Sequence, residues 1–343
     1  MDRECIRQMA VRPDRLKGSM KARFNGRGMF YSYQKGMPSS LSQIFVVMVA
    51  AAILFSSGLV AAAEKPGKSE ELLLDTYHRN VSKMETSDFG LPLFLESFER
   101  DHTVHVDVYG IFDYSLSRVA EAVTVPANWC DIVSLHPNVK ACTYREKADA
   151  WLLTFYLGRK EYQPPGDTRP VFCQYQNVAQ QPGYLDITLH AERGPFATKD
   201  HRMRFEALAL DKNRTFAHVS YTYSDSAALR LATRIYFATL GRDKVGFTVT
   251  ATGDNGETVY IGGPRGAIER SAIRYYFAIQ SFMNTLYAPQ EQRFGVRIVD
   301  WYDRTIRYRR QLSDWNKQDY LASKAAEHDN QMRLQEQIGT EFH

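Results

Sequence analysis

The sequence predicts an α+β domain in which a seven-stranded antiparallel sheet is followed by a long helix. Three observations lead there. Between residues 139 and 225, six runs of alternating character follow one another, joined by connections too short for helical crossovers, so neighbouring strands run antiparallel. An earlier alternating run, "TVHVDVYGIFD" (103–113), is set apart from them by two short helical stretches. After the strands, "GAIERSAIRYYFAIQSFMNTLY" (266–287) repeats apolar residues at helical spacing.

Before the domain comes a leader. Residues 1–43 hold nine Lys/Arg against three acids, and are followed by "IFVVMVAAAILF" (44–55) and "SSGLVAAAE" (56–64). A basic stretch, an apolar core and a small-residue Ala61-x-Ala63 site form a secretory pattern, with cleavage expected after Ala63. The alternative is an inner-membrane anchor, because apolar and small residues run from 44 to 63, about a bilayer's width. Met29 or Met37 is an alternative start, since the leader is long. Export, to the periplasm or beyond, is the expectation either way. The chain thus divides into a leader (1–63), a polar extension (64–100), a domain (101–288) and a helical tail (289–343). The net charge of +4 belongs to the leader, which carries six positive charges net, so the remainder is slightly acidic. Nothing in that balance points to nucleic acid.

Each element has a local cause. The extension holds a helical signal in "SEELLLDTYHRNVSKM". "SLSRVAEAV" (115–123) starts on a Ser and has helical apolar spacing, and "PANWCDIVSLHPNVKAC" (126–142) has Pro126 suited to a first helical turn and "HP" to end it. The six strands are "VKACTYRE", "ADAWLLTFYLGRK", "RPVFCQYQNVAQ", "YLDITLHAER", "HRMRFEALALD" and "TFAHVSYTYSD". A helix (226–241) and a hairpin turning at "GDNG" (246–263) intervene before the long helix, in which Ile268, Ala272, Tyr276, Ile279, Met283 and Leu286 share a stripe while Arg270 and Arg274 lie off it. Cys130 and Cys142 enclose a short loop; a disulfide there would be worth roughly 3 kcal/mol in an oxidising compartment. The alternative is that Cys130, Cys142 and Cys173 are buried thiols.

This order of elements resembles the START-like superfamily (SRPBCC, polyketide cyclase/START). Within "SLSRVAEAVTVPANWCDIVSLHPNVKAC", Val119, Val123, Pro126 and Trp129 match the family's connection between its first two strands, while Val125 departs from its usual Asp. The resemblance covers about residues 103–287 and implies a helix-grip fold: a strongly curved seven-stranded sheet around the long C-terminal helix, here 266–287, with the helix–hairpin as an insertion. It also implies binding of an apolar ligand, or cyclase or aromatase chemistry.

A curved sheet around one helix leaves a cavity wherever the helix does not fill it, lined by alternate strand residues. The candidate inward sets are Val104, Val106 and Val108; Trp151, Leu153 and Phe155; Leu185, Ile187 and Leu189; and Met203, Phe205 and Ala207, with Ile279 from the helix, although a one-residue slip in register would swap the faces. A space of roughly 300–1,000 Å³ suits a lipid tail, a sterol or a ring system. The alternative is a solid core. His218, with His190, would orient a ligand if it faced inward, and otherwise lies on the opposite face. Tyr276, or its neighbour Tyr275, would supply a hydroxyl anchor.

No G-x-S-x-G, H-E-x-x-H, phosphate-loop or C-x-x-C motif occurs, nor any metal-ligand spacing, so no catalytic residue, metal or cofactor is assigned. In the tail, "RFGVRIVDWYDRTIRYRRQLSDW" (293–315) interleaves six arginines with Trp301, Tyr302, Tyr308 and Trp315. It reads either as a peripheral membrane contact or as a helix laced by Asp300–Arg304 and Asp303–Arg307 pairs. The expected function is an exported binding or carrier protein for an apolar small molecule, a lipid above all. An enzyme acting on a bound apolar substrate and a cell-envelope scaffold with a filled core are the alternatives.

Overall fold

The computed structural model describes residues 67–147, 150–239 and 241–340. The leader, with its apolar run and cleavage site, lies outside the described residues. Helix α1 (Lys68–Glu85) precedes β1 (Leu93–Arg100) and β2 (Thr103–Phe112). Helices α2 (Leu116–Val123) and α3 (Pro126–Val133) lead into β3 (Val139–Lys147), β4 (Ala150–Leu157), β5 (Arg169–Gln180), β6 (Tyr184–Arg193), β7 (Lys199–Ala209) and β8 (Thr215–Ser224). Then come α4 (Ala227–Ala238), the small hairpin β9 (Val249–Thr252) and β10 (Thr258–Tyr260), and α5 (Gly263–Thr285). Helices α6 (Gln290–Thr305) and α7 (Lys317–Thr340) finish the described chain.

The sheet has order β1-β2-β8-β7-β6-β5-β4-β3, antiparallel throughout, and α5 packs on its concave face. This is the helix-grip arrangement, with eight strands in place of the seven expected. The added strand, "LFLESFER", lies in the stretch read as a polar extension. Only Leu93 and Leu95 are buried on it, and its turn to β2 uses Asp101 and His102, both at positive φ, instead of a glycine. A hairpin of that type ordinarily announces itself by Gly or Asn, and here it does not.

Helix α5 is buried nearly all round, Arg270 and Arg274 included. The tail is the reason. Leu312, Trp301 and Tyr320 close over the helix from outside, the Trp301 Nε1–H donates to the Arg274 carbonyl (3.0 Å), and Arg274 pairs with Asp314 at 2.5 Å. The interleaved aromatics are taken up by this packing: Trp301, Tyr302 and Trp315 all surround Tyr320. Asp300 pairs with Arg304 (2.7 Å) as expected, whereas Asp303 pairs with Lys317 instead of Arg307.

At the closed end of the grip the Trp129 Nε1–H donates to the Val123 carbonyl (2.7 Å), and its ring meets Phe205 edge-on. Cys130 and Cys142 are joined by a disulfide, which ties α3 to β3; Cys173 is free and buried, its thiol pushed up to about 12 by burial.

Strand β3 ends the sheet, and α7 covers its free edge. The Cys142 and Tyr144 amides donate to Gln331 and Gln335 (2.8 and 2.9 Å), and Gln335 returns a bond to the Tyr144 carbonyl. Residues four apart on a helix meet residues two apart on a strand, so helix side chains complete the ladder. One turn earlier, the buried Glu327 carboxylate lies between Lys140 (2.9 Å) and Lys324 (2.8 Å). Lys140 also donates to the carbonyls of Pro137 and Lys160, and Lys324 to those of His136 and Val139. Every N–H of both ammonium groups is thereby engaged. Glu327→Ala is expected to cost about 3–5 kcal/mol, because it leaves two buried ammonium groups without their anion. Urea unfolding measures it; a loss below about 1 kcal/mol, the scale of an exposed pair, would contradict the clamp.

Candidate functional site

The middle of the grip is solid. Leu153, Leu185, Ile187, Phe205, Tyr276 and Ile279 are each 1 % exposed or less, which leaves no water-sized void against them. Leu189, Ala207, Val104, Val106 and Val108 belong to the same packed cluster, and Trp151 packs at its rim. The expected inward parity is the one observed, but these residues form core. Tyr276 turns its ring onto the face of Gly110, where a Cβ would collide with the phenol oxygen, so it fills the core and reaches no cavity.

Residual exposure is concentrated at one end. Phe155 and Val171 face each other across β4 and β5, and Met203 faces Tyr221 across β7 and β8; beyond them opens a cavity of about 610 Å³. Its walls include Leu157 at the end of β4, Pro195 in the β6–β7 turn, Tyr221, His136 beyond α3, and Ser271 and Tyr275 one turn apart on α5. Arg159, Arg169 and Asp167 add charge.

Three features organise this mouth. His136 stacks on Tyr275 (ring centroids 5.0 Å apart) and its Nδ1 accepts from the Asn138 amide (3.1 Å). The proton is therefore on Nε2, which is buried and has no partner. Burial, and then the nearby Arg274, Lys324, Lys160 and Lys140, hold this imidazole well below its ordinary range, so it is neutral. Second, Thr198 donates to the Pro195 carbonyl (2.5 Å) and so accepts from His201 Nε2 (2.7 Å). His201 Nδ1 is left to accept the Tyr221 hydroxyl (2.8 Å), and burial brings that histidine down to about 4. Third, the Tyr275 hydroxyl has no hydrogen-bond partner among the described residues, and burial raises its pKa. The mouth thus presents a phenol oxygen whose proton is committed to His201 and a free phenol, with the neutral His136 ring stacked behind the latter. Among the described residues no group of His, Cys, Asp and Glu is placed to hold a metal ion.

Of the two tyrosines that the sequence offers as a hydroxyl anchor, Tyr275 and not Tyr276 faces the cavity, and the expected lining lacked His201 and Tyr221. Parity held the signal for both: His201 precedes Met203 by two residues, and Tyr221 follows Val219 by two.

His218 is a correction. It alternates with Ala217 and Val219, which are core, so it points to the convex face beneath α1. There its Nε2 lies 2.8 Å from Asp107 and its Nδ1 3.1 Å from Glu206. Two carboxylates make both nitrogens donors: burial alone would lower the pKa, but those hydrogen bonds and charges lift it to about 9. Burial pushes Asp107 the other way, yet hydrogen bonds from His105 and His218 bring it to about 2. His190, next to the buried Leu189 and Ala191, likewise faces outward.

No protein-family model and no curated protein matches the chain. Among solved structures, an aromatase/cyclase from Streptomyces sp. R1128 is similar over 59% of this chain and 96% of its own, at 10% identity and a TM-score of 0.27. A START superfamily protein from Mycobacterium smegmatis is similar over 40% and 92%, at 12% identity and a TM-score of 0.27. Norcoclaurine synthase from Thalictrum flavum is similar over 40% and 80%, at 10% identity and a TM-score of 0.30. Likenesses at this level carry no argument of their own; the helix-grip assignment rests on the strand order and the gripped helix.

The His218 cluster has a pH signature. A raised pKa contributes stability that is complete below the ordinary value of 6.5 and disappears as the pH climbs through about 9. The stability gap between the native chain and His218→Gln, from urea unfolding, should therefore narrow steadily from pH 6.5 to alkaline pH. A constant gap would contradict the imidazolium.

Proposed function

We propose that the chain is an exported carrier that binds one apolar molecule through the mouth of the grip, the molecule's polar end meeting Tyr221 and Tyr275. The observation that carries this reading is the cavity of about 610 Å³ at the open end, into which the Tyr275 hydroxyl projects with no protein partner. A ligand's polar group would pair with that phenol, which both donates and accepts. The aromatic and aliphatic wall then takes the apolar body. With the middle of the grip packed, a compact body or a lipid held near its headgroup fits better than a tail threaded down the sheet. Export is supported by the secretory pattern of residues 1–63 and by the Cys130–Cys142 bridge, which suits an oxidising compartment. Among the described residues no helix is long and apolar enough to cross a membrane.

A second reading, the cell-envelope scaffold, is favoured by the packed interior. Native mass spectrometry of protein purified from its own host separates the two. The carrier reading expects a bound mass whose affinity falls two- to tenfold in Tyr275→Phe, the loss of one hydrogen bond, and is unchanged in Tyr276→Phe. Folded protein with no bound mass would support the scaffold.

A further inference from the structure

The stretch between β8 and α5 carries an apolar face that the rest of the domain leaves bare. Helix α4 starts where β8 ends, at the same end of the sheet as the mouth, and Ser226 caps it by accepting from the Leu229 amide (3.2 Å). Leu229, Thr233 and Phe237, spaced four apart, are half-buried and form the side on which α4 rests against α5. Leu231 and Ile235, also four apart, lie on the opposite side, because two residues along a helix are a rotation of about 200°. They are 62 % and 58 % exposed, the two most exposed of the large aliphatic side chains among the described residues, and Tyr236 beside them is exposed too. A helix that is apolar on its outer side as well as its inner one ordinarily has a second surface against it.

Charge indicates which surface. The stretch 226–244 holds four basic residues against one acid, whereas residues 64–343 as a whole are slightly acidic. Arg230 is taken up by Asp225 (3.1 Å), and Arg242 lies 3.9 Å from Asp243. Arg234 and Lys244 are exposed, with no carboxylate in pairing distance among the described residues. Lys244 donates instead to the Tyr236 hydroxyl (3.1 Å), which holds its charge beside the helix. Two bare aliphatic side chains, a tyrosine and unpaired cations have the composition of a helix lying in the plane of an anionic bilayer surface. The apolar side chains enter the acyl boundary while the cations stay among the headgroups. A second copy of the chain, docked by the same face, would set like charges against one another.

We infer that α4 is a membrane-docking helix, its Leu231–Ile235 face entering the surface of an anionic phospholipid bilayer with Arg234 and Lys244 on the headgroups. Docking brings the mouth end of the sheet to the bilayer, and it does not require a ligand in the mouth.

Ile235→Cys labelled with the environment-sensitive dye NBD tests the inference, since Cys173 is buried and Cys130 and Cys142 are joined. The control carries the dye on Val178→Cys, a similarly exposed site on β5 at the other end of the sheet. Both proteins also carry Cys5→Ser, which removes the leader's thiol. Vesicles of phosphatidylcholine with phosphatidylglycerol should shift the emission at position 235 to the blue and leave that at 178 unchanged. Vesicles of phosphatidylcholine alone should need at least about tenfold more lipid for the same shift. Arg234→Gln in the labelled protein should raise the lipid required about fivefold, the loss of one headgroup contact. Leu231→Glu should abolish the shift, and neither exposed substitution should move the melting temperature. The inference is overturned if the dye at 235 does not respond, if both dyes respond equally, or if phosphatidylcholine alone is as effective. A blue shift on concentrating the protein without lipid would assign the face to a second copy and overturn it as well.

Discussion

A buried carboxylate fixes the last helix of this molecule against the end of its sheet. Glu327, between Lys140 and Lys324, fixes the last helix against the end strand, and the two lysines use their other protons to hold the carbonyls of the His136–Val139 turn. That turn carries His136 into the mouth of the grip. The same helix supplies Gln331 and Gln335 to the edge of β3 and His328 to the wall of a cavity beside α3. A charge triad of this kind is costly to desolvate, and its value lies in the geometry it enforces once every proton is engaged.

With α5 enclosed on one side by the sheet and on the other by the tail, the grip has no slack in its middle. A helix buried all round needs its off-stripe residues satisfied, and Arg270 and Arg274 find Val245, Leu312 and Asp314. Among the described residues the larger spaces lie where this enclosure stops, at the strand ends near Leu157 and Tyr221 and beside α6 and α7. Binding potential has moved from the centre of the fold to its margins.

Much of this was legible in the sequence. The strand runs, their antiparallel order, the paired short helices and the long last helix follow from period and spacing, and its gripped place from the START-like resemblance; alternation marked out Leu153, Ile187 and Phe205 as one face, and folding decides that this face is the inner one. The first strand was not legible, because its turn is built on Asp101 and His102 and half of its residues are polar. The burial of the tail was hidden for a different reason. Lys324, Glu327, Gln331 and Gln335 read as a solvated face, and only the free edge of β3, brought near by folding, gives them a reason to be inside. His218 was misplaced because a histidine among β-branched residues does not reveal which face it takes until its neighbours Ala217 and Val219 are seen as core. Tyr275 and Tyr276 are one residue apart on a helix, a rotation of about 100°, and the sequence holds no signal fine enough to choose between them.

The central claim is that the mouth of the grip, and not its middle, receives a ligand. Fluorine NMR of fluorotyrosine-labelled protein from its own host, recorded before and after solvent extraction, tests it most directly. Removal of a ligand from the mouth shifts the resonances of Tyr221 and Tyr275 and leaves those of Tyr276 and Tyr184 in place. A shift at Tyr276 with Tyr221 and Tyr275 unmoved would put the ligand in the middle of the grip and contradict the claim.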